Sequence, residues 1–141
     1  MLKINLDEGA VFDIYSIYHV KYNFADSDDK RFRSYEAMTQ LKKEIKGQIG
    51  DELFTRIINS DEYAALYEAN CKTFDLVDEA RSSKGLAKKV DKANMERYNR
   101  KVALQKRFFD SAPFEIKTDE QKSSYNWREW ARRLLHGRLS T

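Results

Sequence analysis

The sequence predicts an all-α fold: an irregular helical bundle built around a long antiparallel helical hairpin, residues 61–82 and 92–109. Three observations predict it. Apolar residues recur at intervals of three and four through most of the chain. The 141 residues include only five glycines and one proline, too few for a turn-rich β architecture. Charge also reverses sign in mid-chain: residues 51–80 carry eight acids against two bases, and residues 81–107 carry ten bases against two acids. Two helical segments of opposite sign, joined by a short Ser/Lys/Gly stretch, are expected to fold back on one another.

Taken in order, residues 2–6 (LKINL) alternate in a strand-like way over a very short span. Asp7 is placed to cap a first helix whose stripe is Val11, Ile14, Tyr15, Tyr18 and Tyr22. A polar break at residues 23–29 precedes a second helix, starting at Lys30 or Ser34, with Phe32, Tyr35, Met38, Leu41 and Ile45 on one face. Gly50 ends it, because glycine tolerates the left-handed backbone of a helix terminus. A short helix, DELFTRII, follows, and Asn59 with Glu62 resembles a capping box for the next. That helix stacks Tyr63, Leu66, Tyr67, Asn70, Phe74 and Val77. After SSKGLAKK, Asp91 is the expected N-cap of a helix carrying Met95, Tyr98, Val102, Gln105 and Phe109. Leu104 and Phe108 lie off that stripe, so this arm is expected to pack on a second surface as well.

Pro113 divides the chain into a helical domain, residues 1–112, and a C-terminal connector with an amphipathic helix, residues 113–141. Within the latter, residues 114–117 form a short extended piece that pairs with LKINL on this reading. Thr118 and Gln121 cap a helix with Trp127, Trp130, Ala131 and Leu134 on one face, closed by Gly137.

Composition narrows the function classes. One cysteine excludes an internal disulfide and a multi-cysteine zinc site, and suits a reducing compartment. No apolar run reaches the length of a membrane span, so a soluble domain is expected. The two histidines, His19 and His136, lack a Glu three residues before them, which removes the di-iron bundle pattern. The run Asp26-Ser27-Asp28-Asp29 lacks the glycine and distal Glu of a calcium loop and reads as a solvated turn. Neither a nucleophile elbow nor a phosphate-binding glycine loop is present, and no cofactor is expected. Cys71, at the edge of an apolar stripe, reads as a small core residue. Asn70, inside that stripe, reads as a buried polar residue that sets register.

Two surfaces are candidates for binding. The basic arm (Lys89, Lys92, Arg97, Arg100, Lys101, Arg107) either faces the acidic arm and fixes the hairpin register, or contacts nucleic-acid phosphates. The C-terminal helix sets Trp127, Trp130 and Leu134 beside Arg128, Arg132 and Arg133. It has three competing destinations: its own bundle, a partner's groove, or an anionic membrane or nucleic acid.

The stretch from Tyr67 to Phe109 (YEANCKTFDLVDEA, then VDKANMERYNRKVALQKRFF) resembles small uncharacterised helical proteins of tailed bacteriophages and prophages. The opening KINLDEGAVFDIYSIY extends the resemblance. It implies a virion connector, an assembly accessory or a binder of host proteins, in the cytoplasm or on the virion. The expected function is therefore a non-enzymatic helical interaction or structural component that self-associates or binds a protein. The alternative is a nucleic-acid-binding module using the basic arm and the C-terminal arginines.

Overall fold

The computed structural model describes residue 2, residues 4–82 and 87–111, and residue 113, with backbone alone for 78–82 and 87. Five helices and no strand occupy the described residues: α1 (Glu8–Asn23), α2 (Asp28–Ile49), α3 (Asp51–Ile58), α4 (Asp61–Ser82) and α5 (Ala87–Phe109). The all-α class and the antiparallel hairpin stand as expected, with Glu62 of α4 paired to Arg107 of α5 and Lys72 to Glu96.

The centre of the molecule is α1, which packs on α2, α4 and α5. It is buried nearly all round: Phe12, Asp13, Tyr15, Ser16, Ile17, Tyr18 and Val20 all lie inside. The single stripe read from the sequence captured Tyr15 and Tyr18, whereas Val11, Ile14 and Tyr22 are only half-buried. A helix with neighbours on three sides has no solvent face to reveal by periodicity. Each helix contributes to one core cluster: Phe12 and Tyr15 from α1, Ile45 from α2, Phe54 and Ile57 from α3, Tyr63 and Leu66 from α4, Leu104 from α5. Tyr15 meets Phe54 edge to face, with ring centroids 5.7 Å apart, a geometry that favours the aromatic quadrupoles. Leu104 is completely buried, so α5 does pack on a second surface, as its off-stripe position required.

Local signals set the element ends, with four departures from expectation. α2 starts at Asp28, just before the expected Lys30 and well before Ser34, and Ser27 caps it by accepting from the Lys30 amide at 3.2 Å. Ser60 caps α4 by accepting from the Tyr63 amide at 3.1 Å, while Asn59 ends α3 and donates to the Thr55 carbonyl. Ser60 is the better cap because it sits immediately before the helix, which puts its oxygen within reach of the N3 amide. Asp91 lies one turn inside α5, which begins at Ala87. Val90 is fully buried, and its burial draws that extra turn into the helix. Asp7 precedes α1 but makes no side-chain cap bond. Gly50, at φ +88°, joins α2 to α3 in a conformation that a side chain would strain.

The stripe of α2 is also shifted. Ser34 is buried, and Met38, Leu41 and Ile45 continue that line inward, while Phe32 and Tyr35 are 59% and 55% exposed. Ser34 recurs with Met38, Leu41 and Ile45 at the same three-and-four spacing, and α2 packs mainly on α1 and α3. The LKINL segment forms neither strand nor helix at its described residues, where Leu2, Ile4 and Leu6 are exposed. Its expected partner, residues 114–117, lies outside the described residues.

At one point α1 and α5 come very close. Gly9 donates its amide to Gln105 Oε1 at 3.2 Å, and a Cβ there would stand 2.7 Å from the Lys101 carbonyl oxygen. Gly9→Ala is expected to lower stability by ~1–3 kcal/mol through overpacking against backbone. Gly47→Ala, where a Cβ meets nothing within 4 Å in α2, is expected to raise it by ~0.5–1 kcal/mol. Urea denaturation of the two variants checks the contrast.

Candidate functional site

A polar seam runs through the interior where α1, α4 and α5 meet. Asp13 and Ser16 come from α1, Asn70 from α4 and Arg97 from α5, and all four are at most 7% exposed. Asn70 Nδ2 donates to Asp13 Oδ1 at 3.0 Å and to Ser16 Oγ at 3.1 Å. Arg97 pairs with the other carboxylate oxygen of Asp13 at 3.3 Å. One carboxylate is thus held from two helices at once, which fixes how both sit against α1. Asn70 therefore has the buried polar position expected of it. Asp13 carries a single sequence signal, an acid between Phe12 and Ile14 in a helix otherwise rich in apolar residues.

One turn along α1 the contacts become aromatic. His19 Nδ1 is 3.1 Å from the Tyr63 hydroxyl, and its ring lies 4.7 Å from that of Tyr67. Asn23 Nδ2 donates to the Tyr67 hydroxyl at 2.7 Å. Burial pushes the His19 imidazole below its ordinary value, so it is neutral at neutral pH. Burial likewise pushes the Cys71 thiol up, and Asp75 and Glu68 add to the rise. Cys71 is half-buried, and a thiol held protonated in this way has little nucleophilic character.

The basic arm is dispersed by the fold. Arg97 is inside the seam, which removes it from any surface that meets phosphates. Arg107 pairs with Glu62 and stacks on Phe108, Arg100 lies 3.9 Å from Glu96, and Lys101 sits over the Tyr98 ring. Lys89 and Lys92 remain exposed. The expected matching of an acidic flank to a basic one is partial: Glu62–Arg107 follows it, whereas Lys72–Glu96 joins the minority charge of each arm. The acidic turn is an N-terminal helix start, with Asp26 paired to Lys30, Asp28 to Arg31 and Asp29 to Arg33. No group of three or more metal-ligating side chains occurs among the described residues. His136 and the expected contact residues Trp127, Arg128, Trp130, Arg132, Arg133 and Leu134 lie outside the described residues.

A second feature has no clear counterpart in the sequence pattern. At the α1–α2 turn, Phe24, Phe32 and Tyr35 are each more than half exposed, at 56%, 59% and 55%. The Tyr35 ring lies 6.1 Å from that of Tyr22. The sequence places Phe32 and Tyr35 on one face with Met38, Leu41 and Ile45, but intervals of three and four mark a helix face without saying whether all of it is covered. Around them the charges of α2 are paired within their own turns, which leaves the rings as the unmatched chemistry of this tip.

Comparison with protein families, curated proteins and solved structures finds no match to this chain. No described helix is long and apolar enough to cross a membrane.

Removing Arg97 alone leaves a buried carboxylate uncompensated. Arg97→Ala is expected to cost ~3–5 kcal/mol, and the double replacement Asp13→Leu, Arg97→Met to recover most of that loss in a double-mutant cycle. Lys21 supplies a pH signature, because burial lowers it from 10.5 to about 8. Between those values the unfolded chain holds a proton that the folded chain has released, so stability rises with pH from about 8. Above about 10 the trend reverses, since burial raises Tyr15, Tyr18 and Tyr63 and unfolded tyrosines ionise first. Lys21→Met is expected to flatten the rise, read from urea midpoints across the range.

Proposed function

We propose that this protein is a helical interaction component that acts through protein–protein contacts, with the aromatic tip of the α1–α2 hairpin as its contact surface. The observation that carries this reading is the exposure of Phe24, Phe32 and Tyr35 together at one end of the bundle. Exposed aromatic rings cost solvation free energy, and aromatic residues are enriched where proteins meet. The i,i+3 and i,i+4 ion pairs around the tip keep the first turns of α2 helical and present the rings on a firm support. Nearby charges are matched locally, so the contact is apolar in character and weakly dependent on salt. A structural or accessory role in a phage particle, as the resemblance implies, fits a small chain of this kind.

The test uses the full chain, with a second copy as the partner on offer. Light scattering coupled to size exclusion, at low and high salt, is expected to show self-association that persists at high salt. Phe32→Ser with Tyr35→Ser is expected to weaken association by at least ~10-fold while leaving thermal stability nearly unchanged, because neither ring is in the core. A monomer at every concentration and salt would count against the reading. A complex with nucleic acid that weakens steeply with salt is the result expected of the alternative, a phosphate-binding surface around Lys89 and Lys92.

A further inference from the structure

The rings of the tip do not by themselves make an interface. Phe24, Phe32 and Tyr35 are each a little over half exposed, so together they offer ~350 Å². A stable contact between proteins buries about 800 Å² on each side. The rest of the contact must come from surface continuous with the rings, and α2 supplies it. Of its 22 residues only Ser34 and Ile45 are buried. A helix of that length runs for ~33 Å.

Phe32 and Tyr35 belong to a second seam on that helix. At 100° per residue, Asp28, Phe32, Tyr35, Thr39, Lys43 and Lys46 fall within an arc of ~80°, turned ~130° from the inward line of Ser34, Met38, Leu41 and Ile45. Their intervals of three and four residues are those along which helices pair. Asp28, Thr39 and Lys43 are exposed, as the two rings are, and Lys46 is half-buried.

Charge along this seam is asymmetric. It opens with an acid and closes with two bases, and the rings and a threonine lie between. Asp28 is fully exposed and meets Arg31 only at 3.5 Å, and Lys43 enters no ion pair among the described residues. A second copy of the same helix, laid antiparallel, is complementary from end to end. With the two Tyr35 rings side by side at the two-fold axis, Phe32 lies level with Thr39 of the second copy, and Asp28 with its Lys43. The turn that carries Phe24 then reaches the level of Lys46. Laid parallel, the same helices would set Asp28 beside Asp28 and Lys43 beside Lys43, which like-charge repulsion opposes.

We infer that the outer face of α2 is a self-association surface, on which a second copy of this chain lays its own α2 antiparallel about a two-fold axis at Tyr35. This rests on the reading of the tip as a protein contact, and adds the partner, the helix that completes the contact and its orientation. Burial of the rings supplies the affinity. The Asp28–Lys43 contacts at the two ends fix the direction, so the pair persists at high salt.

Exchange of charge in the full chain tests the orientation. At low salt, Asp28→Lys and Lys43→Asp are each expected to self-associate about 5-fold more weakly, because each sets like charges opposite one another at both ends of the pair. An equimolar mixture of the two variants is expected to regain the affinity of the unaltered chain, since each copy supplies the charge that the other lacks. A folding defect would not be rescued by mixing. In a Cys71→Ser background, spin labels at Gln40→Cys are expected ~15–20 Å apart between copies and those at Gln48→Cys ~40 Å apart, whereas a parallel pair gives similar distances for both. A pair that dissociates when Phe32 and Tyr35 are replaced, yet ignores both charge variants, would overturn the inference and leave the tip reading intact. The same holds for single variants that mixing fails to rescue, and for Gln48 labels as close as the Gln40 labels. Self-association untouched by replacing Phe32 and Tyr35 would overturn that reading and this inference together, as would an unaltered chain that stays monomeric.

Discussion

Burying a helix nearly all round forces a choice about the charges it carries, and the most buried of those on α1 is Asp13. A carboxylate inside a protein is tolerated only when it is paired and hydrogen-bonded. Arg97 and Asn70 meet that requirement from two different helices, so neutralising one group also positions α4 and α5 around α1. The cost of leaving such a charge unpaired, ~3–5 kcal/mol, is several times what an exposed ion pair contributes. The arrangement of the central three helices is therefore governed from the inside.

The close approach at Gly9 belongs to the same constraint. With Asp13 tied to Arg97, the turn of α1 before it must lie against Lys101 and Gln105, where a side chain would meet backbone oxygen. Gln105 turns that contact to use by accepting the Gly9 amide, one of the N–H groups that a helix start leaves without an intrahelical partner. The same glutamine then holds Ser111, so the path of the chain beyond α5 is coupled to the packing of α1. Above this layer, His19 and Asn23 extend the α1–α4 contact by hydrogen bonding to the Tyr63 and Tyr67 hydroxyls.

Surface charge has a smaller part than its pattern suggests. The sign reversal between residues 51–80 and 81–107 does mark two helices that pair antiparallel. Yet one of the two ion pairs seen between those arms uses the minority charge of each, and the most buried base of the second arm faces α1. Net charge is a property of a segment, whereas an ion pair depends on which side of each helix a residue occupies, and α5 presents its bases to three surroundings.

The presence of the five described helices, the α3 and α4 ranges, the glycine break at position 50 and the buried position of Asn70 were all legible in the sequence, because each depends on spacing, capping chemistry or backbone conformation within a few residues. The start of α5 and the true stripe of α2 were not, since Val90 and Ser34 are placed by neighbours distant in the chain. Periodicity identifies a face of a helix but does not say what covers it, which is why Phe32 and Tyr35 share a predicted face with Ile45 and yet lie largely in solvent. The partners of Asp13 are more than fifty residues away on two other helices. Only the tertiary structure could bring them to one point, because burial and electrostatic pairing are properties of the assembled interior.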